Sequence, residues 1–234
     1  MRVVITRPQA DGERTAGVLR ARGHDVLIAP LMKVEAVTAD LAGHWAAVII
    51  TSANAPAAIS ANPNGKALLA LPAFSVGQRS ADAARRAGFR HVTTADGDVR
   101  DLLQMLIARR TGTAAPLLYL AGEDRAADLV GELAANGIAA EMRVVYRAVT
   151  APFPPALIAA LQAGQVDAVL HFSRRSADNY LAGAKAAGIS GPALSVRHLC
   201  LSAQIAEAFA GARHVAVASR PDEAALIELL QASP

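Results

Sequence analysis

The sequence predicts an α/β protein built on two parallel sheets. Short apolar runs alternate with alanine-rich segments of helical length, and this alternation is typical of βαβ units. About ten strands are expected, and two sheets of about five strands suit 234 residues better than one open sheet. Five glycines lie where the predicted helices end, and glycine is common just after a helix C-terminus. They are Gly23, Gly88, Gly137, Gly188 and Gly211.

The predicted elements follow one another in a regular order. Each strand is followed by a turn that carries a hydroxyl, an amide or a glycine, and usually by a helix. The predicted strands span residues 3–5, 25–29, 47–50, 74–76, 91–93, 117–120, 167–172, 198–201 and 214–218. Pro8 and Pro221 open helices, where the missing N–H of proline costs nothing. Further helices are predicted over 100–109 and up to residue 136.

Two segments, 31–37 and 143–149, lack the helix that follows the other strands. Both alternate apolar and polar residues and have prolines beside them, which predicts extended connectors. If the two segments pair, the chain leaves the first domain after two strands, completes the second domain and then returns. A simple cut near 111–116, where the composition is loop-like, is the alternative, and the pattern of elements does not decide between them.

Composition bounds the class of protein. The chain is 53% hydrophobic and 18% charged, as expected of a folded globular protein. A net charge of +3 spread along the chain, with few aromatic residues, argues against nucleic acid as a partner. The single cysteine, Cys200, excludes an intrachain disulfide. Because no signal peptide or membrane-spanning run is found, we expect a soluble, cytoplasmic protein.

The common cofactor motifs are missing from the sequence. There is no Gly-x-Gly-x-x-Gly, and Gly65-Lys66 lacks the upstream glycine of a P-loop. The histidines do not fall at metal-ligand spacing, and His171 is interpreted as a core or cleft-edge residue. Neither a dinucleotide nor a metal is therefore predicted.

Polar turns at the carboxyl ends of strands form the candidate binding site. Ligands of open α/β sheets bind at this edge, and the backbone N–H groups of a helix start bind anions. One such end adds only about 0.3–1 kcal/mol, so several ends converging in a cleft between two domains would suit a ligand with many carboxylates. The candidate substrate-binding residues are Thr6, Arg7, Ser52, Ala53, Asn54, Gly77, Ser80, Gly122, Arg125, Ser173, Ser176, Ser202 and Gln204. Each could instead serve only as a helix cap.

The stretch 167–180 combines a strand, a turn rich in hydroxyls and the start of a helix. Helical side chains lean toward the helix N-terminus, so Tyr180 could direct its hydroxyl at the carboxyl end of the strand. In the alternative interpretation, Tyr180 is packed in the core with its hydroxyl reaching the surface, and Ser173 or Ser176 is an ordinary N-cap.

Short motifs recur along the chain in a characteristic order. They are ITRP at 5–8, TSANA at 51–55, VGxxSA at 76–81, LAGxxR at 120–125, VVY at 144–146, FSxxS at 172–176 with Tyr180, and ASRP at 218–221. In their order and spacing they resemble the uroporphyrinogen-III synthase family over nearly the whole chain. Ser80 stands where that family often has threonine, and 201–205 replaces a glycine-proline-threonine-like turn, although Gln204 can still donate a hydrogen bond.

The resemblance implies a particular domain organisation. It predicts two flavodoxin-like parallel-sheet α/β/α domains joined by a two-stranded antiparallel linker. The first domain is discontinuous, with residues 1–33 and 148–234, and the second spans 34–147. The linkers lie near 31–37 and 143–149.

The resemblance also implies a reaction. The linear tetrapyrrole hydroxymethylbilane, which has eight carboxylates, would be cyclised with inversion of ring D through dehydration, a spiro intermediate and ring closure. Tyr180 matches the tyrosine that the family favours as general acid. No metal or organic cofactor is implied, and we expect a monomer without nucleic-acid or membrane partners.

Two other functions stay open at this point. One is a non-catalytic two-domain binding module for a small polycarboxylate or another anion. The other is a sugar- or nucleotide-transferring enzyme, which would need an acidic metal motif or a diphosphate loop, and the sequence has neither.

Overall fold

The computed structural model describes residues 1–60, 62–95, 97–109, 115–124 and 128–231, and the chain divides into two compact units. Unit 1 contains Met1–Lys33 and Val149–Pro234, and unit 2 contains Val34–Ala148. Unit 1 is thus built from both ends of the chain, whereas unit 2 is continuous. Among the described residues, no helix is both long and apolar enough to cross a lipid bilayer.

The strands are short, as the sequence predicts, and fall within a few residues of the expected positions. They are β1 (Arg2–Ile5), β2 (Asp25–Ile28), β3 (Met32–Ala36), β4 (Ala47–Ile50), β5 (Pro72–Ser75), β6 (His91–Thr94), β7 (Leu117–Gly122), β8 (Ala140–Thr150), β9 (Ala168–His171), β10 (Arg197–Cys200) and β11 (Val215–Val217).

The helices alternate with these strands. They are α1 (Gln9–Ala21), α2 (Asn54–Ala58), α3 (Gly65–Leu68), α4 (Gln78–Ala87), α5 (Val99–Arg109), α6 (Leu129–Ala135), α7 (Pro155–Gln162), α8 (Arg174–Ala186), α9 (Ser190–Ser195), α10 (Ala203–Ala206) and α11 (Glu223–Glu228), with a 3-10 helix at Glu207–Phe209. Among the described residues, side chains of Asp98, Asp128, Ser173 and Asp222 cap the starts of α5, α6, α8 and α11.

The sheet of unit 1 has the strand order β2-β1-β9-β10-β11, and its neighbouring strands are parallel. Counted along the unit, this is the flavodoxin-like order 2-1-3-4-5 that was predicted. The register pairs Val4 with both Leu27 and Val169, so β1 lies between a strand from its own end of the chain and one from the other end.

The sheet of unit 2 has the order β6-β5-β4-β7-β8, extended at one edge by β3. Strands β4 to β8 are parallel and, counted along the unit, follow the order 3-2-1-4-5, the other common doubly wound arrangement. The two sheets thus share their class but differ in strand order, which the local patterns do not encode.

The two connector segments lie side by side as β3 and β8. The N–H of Val37 donates to the carbonyl of Val145 at 2.8 Å, and the N–H of Ala151 donates to the carbonyl of Leu31 at 3.0 Å. Residue numbers rise in one segment as they fall in the other, so the two run antiparallel. Strand β3 is the sixth strand of a sheet for which about five were expected.

Both sheets are covered on both faces. In unit 1, Val3 and Ile5 pack into one apolar cluster and Val4 into another, because alternate residues of a strand face opposite sides. Strands buried on both faces appear in the sequence as continuous apolar runs, which is why the strands could be located. The predicted α/β class with two parallel sheets is confirmed.

Candidate active site

Unit 1 brings three predicted turns together at the carboxyl edge of its sheet. Ile5 pairs with Leu170, and His171 pairs with Cys200, so β1, β9 and β10 end at the same level. The turns that follow these strands carry the predicted residues Thr6, Arg7, Ser173, Ser176, Ser202 and Gln204. The clustering that the parallel topology predicts is therefore present in this unit.

Unit 2 has an equivalent edge. Ile50 pairs with Ser75 on one side and with Leu120 on the other, so β4, β5 and β7 also end together. The segments after β4 and β5 carry the predicted residues Ser52, Ala53, Asn54, Gly77 and Ser80, and the predicted Gly122 is the last residue of β7. Arg125, the remaining predicted binding residue, lies outside the described residues.

Three of the predicted hydroxyls are buried and are not presented to a ligand. The hydroxyl of Thr6 donates to the carbonyl of Leu170 at 3.2 Å, and Ser80 is 6% exposed. The hydroxyl of Ser176 receives a hydrogen bond from Ser173 and contacts the sulfur of Met32. All three hydroxyls are thus turned into the fold in this structure, and their role in substrate binding stays a prediction.

Arg7 is also held within unit 1. Its guanidinium donates to Glu223 at 2.9 Å and to Thr15 at 3.3 Å, and it lies over the ring of Phe172. Partial burial acts to raise the pKa of Glu223, but hydrogen bonds from Arg14 and Thr15 and the nearby charges outweigh it, so that pKa is lowered. Arg7 would have to exchange a charged partner before binding a substrate carboxylate.

Of the other predicted residues, Gly122 is buried and Ser173 caps α8, and the rest are at least partly exposed. Ser52 accepts a hydrogen bond from the N–H of Asn54, whose side chain is exposed, and Ala53 between them is half-buried. Ser202 makes no capping bond to α10, and the side chain of Gln204 is exposed. Gly77, the N-cap residue of α4, has no side chain to cap this helix and is half-buried.

Tyr180 does not point to the carboxyl edge. It lies on the buried face of α8 with no exposed surface, in contact with the rings of Phe153, His171 and Phe209, and its hydroxyl donates to the carbonyl of Ala193 at 3.0 Å. Burial raises the pKa of the phenol. The predicted orientation is wrong, because this face of α8 packs on the sheet and on α9.

The core around Tyr180 contains two histidines. His171 Nε2 lies 3.1 Å from His198 Nδ1, and neither side chain has exposed surface. Burial, and then the neighbouring His198, hold the pKa of His171 well below its ordinary value, and burial lowers that of His198 to about 4. His171 is thus a core histidine, as one of the two interpretations had it, and it has a partner that the sequence pattern did not reveal.

The three tyrosines of the chain differ in what their hydroxyls contact. Tyr180 is bonded in the core, and the hydroxyl of Tyr119 lies 3.0 Å from that of Thr51. Tyr146 is half-buried, its ring lies against Gly122, and its hydroxyl has no partner among the described residues. Sequence reasoning missed Tyr146, although it belongs to the VVY motif that contributed to the family resemblance.

Two doubly wound α/β units, each with polar turns along its carboxyl edge, place the chain in the class of open α/β proteins, whose ligands generally bind at strand ends. A family model described as "Uroporphyrinogen-III synthase HemD" matches residues 13–228. The chain belongs to the uroporphyrinogen-III synthase family. This confirms the resemblance and, with it, the predicted enzyme class, a cyclising lyase of porphyrin biosynthesis.

One solved structure has the same fold as this chain, and two others are less similar. Uroporphyrinogen-III synthetase from Helicobacter pylori 26695 is 17% identical, with 99% of each chain covered and a TM-score of 0.64. A mutant uroporphyrinogen III synthase from the extremely thermophilic bacterium Thermus thermophilus is 19% identical, with 99% and 97% covered and a TM-score of 0.47. The Thermus thermophilus enzyme in another structure is 18% identical, with 99% and 98% covered and a TM-score of 0.42. No curated protein sequence matches the chain significantly.

Proposed function

We propose that this chain closes hydroxymethylbilane to the macrocycle with inversion of ring D. The observation that carries the proposal is the family match over residues 13–228. The reaction removes the terminal hydroxyl of the linear tetrapyrrole as water and forms a new carbon–carbon bond. The binding-module alternative lacks such support, since the matched family is one of synthases.

The carboxylates of the substrate would bind at the accessible turns. In unit 2 these are the Ser52–Asn54 turn and the turn at Gly77 that leads into α4. In unit 1 it is the turn that carries Ser202 and Gln204, since the hydroxyl of Ser173 is occupied in capping α8. Each N–H or hydroxyl donor adds little alone, so affinity comes from the number of carboxylates held together. Thr6 and Ser80 would contribute backbone N–H groups only. The N–H of Ser176 donates to the hydroxyl of Ser173, so Ser176 would contribute to the packing of α8 and not to binding.

Tyr146 is the better candidate for the general acid than Tyr180. Its phenol stands at the carboxyl end of β7, where Gly122 ends the strand, and its hydroxyl is without a partner among the described residues. An acid must reach the atom that it protonates, and a hydroxyl in the core, such as that of Tyr180, is in no position to do so. This contrast between two phenols supports the assignment.

The chemistry can be written so that protons balance. The phenol of Tyr146 gives its proton to the hydroxyl of the substrate as the carbon–oxygen bond breaks, and water leaves. The resulting carbocation, stabilised by its pyrrole, is attacked by ring D to form the spiro intermediate. The spiro intermediate opens as the original bond between ring D and its methylene bridge breaks, which leaves a carbocation on that bridge. The free α-carbon of ring D attacks this carbocation and then loses one proton, which returns to the phenolate. The turns hold the chain folded, which favours closure over release.

An isomer assay tests the proposed function. Purified protein is given fresh hydroxymethylbilane, the products are oxidised, and the type I and type III uroporphyrins are separated. We expect type III to dominate in proportion to the protein added, because spontaneous closure yields type I. Type I alone, at the rate of a protein-free blank, would refute the proposal and leave the polyanion-binding module as the leading function.

Replacing Tyr180 with phenylalanine separates a structural role from a catalytic one. We expect the free energy of unfolding to fall by about 1–2 kcal/mol, because the buried carbonyl of Ala193 loses its donor. Turnover at a temperature well below unfolding should change less than twofold. Urea denaturation and the isomer assay measure the two effects. A large loss of turnover without loss of stability would restore Tyr180 as the acid.

A monomeric state and a cytoplasmic location, both expected from the sequence, complete the proposal. Light scattering of the purified protein measures the first. A mass near the 24.1 kDa of the chain is expected, and a mass of twice that value would contradict it.

A further inference from the structure

We infer that Gly122 is a positioning residue for the phenol of Tyr146, and that the absence of a side chain at 122 sets where this hydroxyl stands. The inference rests on the proposed function, in which Tyr146 is the general acid. It goes beyond the prediction that Gly122 contributes to a binding turn, because here the glycine acts through another residue.

The contact between the two residues is closer than a side chain at 122 would permit. A Cβ on Gly122 would lie 2.6 Å from Cζ of Tyr146, 2.7 Å from its hydroxyl oxygen and 2.8 Å from Cε2. Real Cβ atoms essentially never come within 3.0 Å of another heavy atom. Gly122 does not have a positive φ, so its backbone conformation does not call for glycine. The close approach of the phenol is what calls for it.

A β-bulge in β8 places the ring of Tyr146 beside Gly122. Ala121 pairs with Val144, but the next residue, Gly122, pairs with Tyr146, so β8 has one extra residue at Val145. Val145 is 1% exposed and packs into the core. The N–H of Glu123 donates to the carbonyl of Tyr146 at 3.0 Å and fixes the backbone beyond the bulge. Bulges commonly re-aim a side chain next to an active site.

The ring is confined from two sides. One side of the phenol lies against Gly122, and the ring also packs against the apolar cluster that contains Ile50, Leu118 and Leu120. An added methyl group at 122 would therefore push the hydroxyl from its position at the end of β7. A misplacement of about 1 Å at a reacting group costs about 10²-fold in rate.

A double-mutant cycle tests the inference with the isomer assay. Gly122→Ala is expected to lower kcat by about 10–10²-fold with a smaller change in KM. In a Tyr146→Phe background the same change should cost less than threefold, since the hydroxyl to be positioned is gone. Gly17→Ala is the matched control: a Cβ at Gly17, on α1, meets no atom within 4 Å, so its turnover should equal that of the parent.

If Gly122→Ala is unstable, thermal unfolding shows whether the loss of stability arises from the contact with the Tyr146 ring. Tyr146→Ala removes the ring, so Gly122→Ala should lower Tm in the parent but not in the Tyr146→Ala background. An equal loss of Tm in both backgrounds would overturn the inference, because the glycine would then serve the fold alone. An equal loss of kcat with and without the phenol hydroxyl would overturn it as well.

The outcomes also separate this inference from the proposed function. If Tyr146→Phe lowers turnover and Gly122→Ala does not, the positioning role fails and the acid stands. If Tyr146→Phe turns over like the parent, the acid assignment fails and the positioning role fails with it. If no type III product forms at all, the function itself fails.

Discussion

Replacing Tyr146 with phenylalanine is expected to lower kcat for type III formation by about 10²–10⁴-fold, the usual contribution of a positioned general acid. The change removes one oxygen at the end of β7 and leaves the ring and its packing against Gly122 in place. KM should change much less, because the carboxylates are held by the turns. Steady-state kinetics with isomer separation measures both quantities.

The matched control for this variant is Tyr180→Phe, which removes the same atom from a core position. We expect the two variants to behave in opposite ways, with Tyr146→Phe slow and stable and Tyr180→Phe active and less stable. The type I fraction should also rise in Tyr146→Phe, as spontaneous closure competes with the slowed enzyme. If both variants retain parental kcat, no tyrosine is the acid, and a hydroxyl of a turn becomes the next candidate.

Acid is expected to destabilise unit 1 through His171 and His198. Both are neutral in the fold, with pKa values lowered first by burial, that of His198 to about 4. The unfolded state, with a pKa near 6.5, binds protons more readily. Stability is therefore fully present above pH 6.5 and is lost as pH falls toward 4. His198 alone should cost about 3 kcal/mol by pH 4, and His171 adds to this.

Urea unfolding at pH 8, 6, 5 and 4 measures this loss. His198→Phe should flatten the pH dependence, because an aromatic ring replaces a group that must otherwise stay neutral beside His171 and Phe209. His91→Gln, at an exposed position on β6, is the control and should follow the parent. A parent whose stability is flat between pH 6.5 and 4.5 would contradict the interpretation of the pair.

The helices and strands, and the sheet edges at which the polar turns lie, were predictable because they follow from local sequence patterns. Apolar runs locate β1, β4 and β7, and parallel topology brings their turns to one edge in each unit. Contacts between distant parts of the chain were not predictable. The partner of Arg7, Glu223, is 216 residues away. The histidines meet only because β9 and β10 are neighbours.

Tyr180 illustrates the limit for side-chain direction. The sequence correctly predicted that Tyr180 lies on a helix that follows a strand. Whether its side chain faces the ligand edge or the core depends on which face of α8 packs on the sheet. That face holds Ser176, Ala177, Tyr180 and Ala184, spaced as one buried side of a helix. Periodicity favoured the core, and the core-packed alternative was right except that the hydroxyl does not reach the surface.

The split of unit 1 between the two ends of the chain has a consequence for synthesis on the ribosome. β1 and β2 emerge first, but Arg2 finds its partner Asp167 only 165 residues later. Unit 2 is complete before that strand appears, and domains generally fold as units while the chain grows. The N-terminal unit β1-α1-β2 therefore cannot complete its sheet while unit 2 folds, and one edge of β1 stays without its partner strand β9. A nascent chain stalled when Ala148 has left the ribosome but Asp167 has not should carry a protease-resistant unit 2 and a protease-sensitive N-terminus.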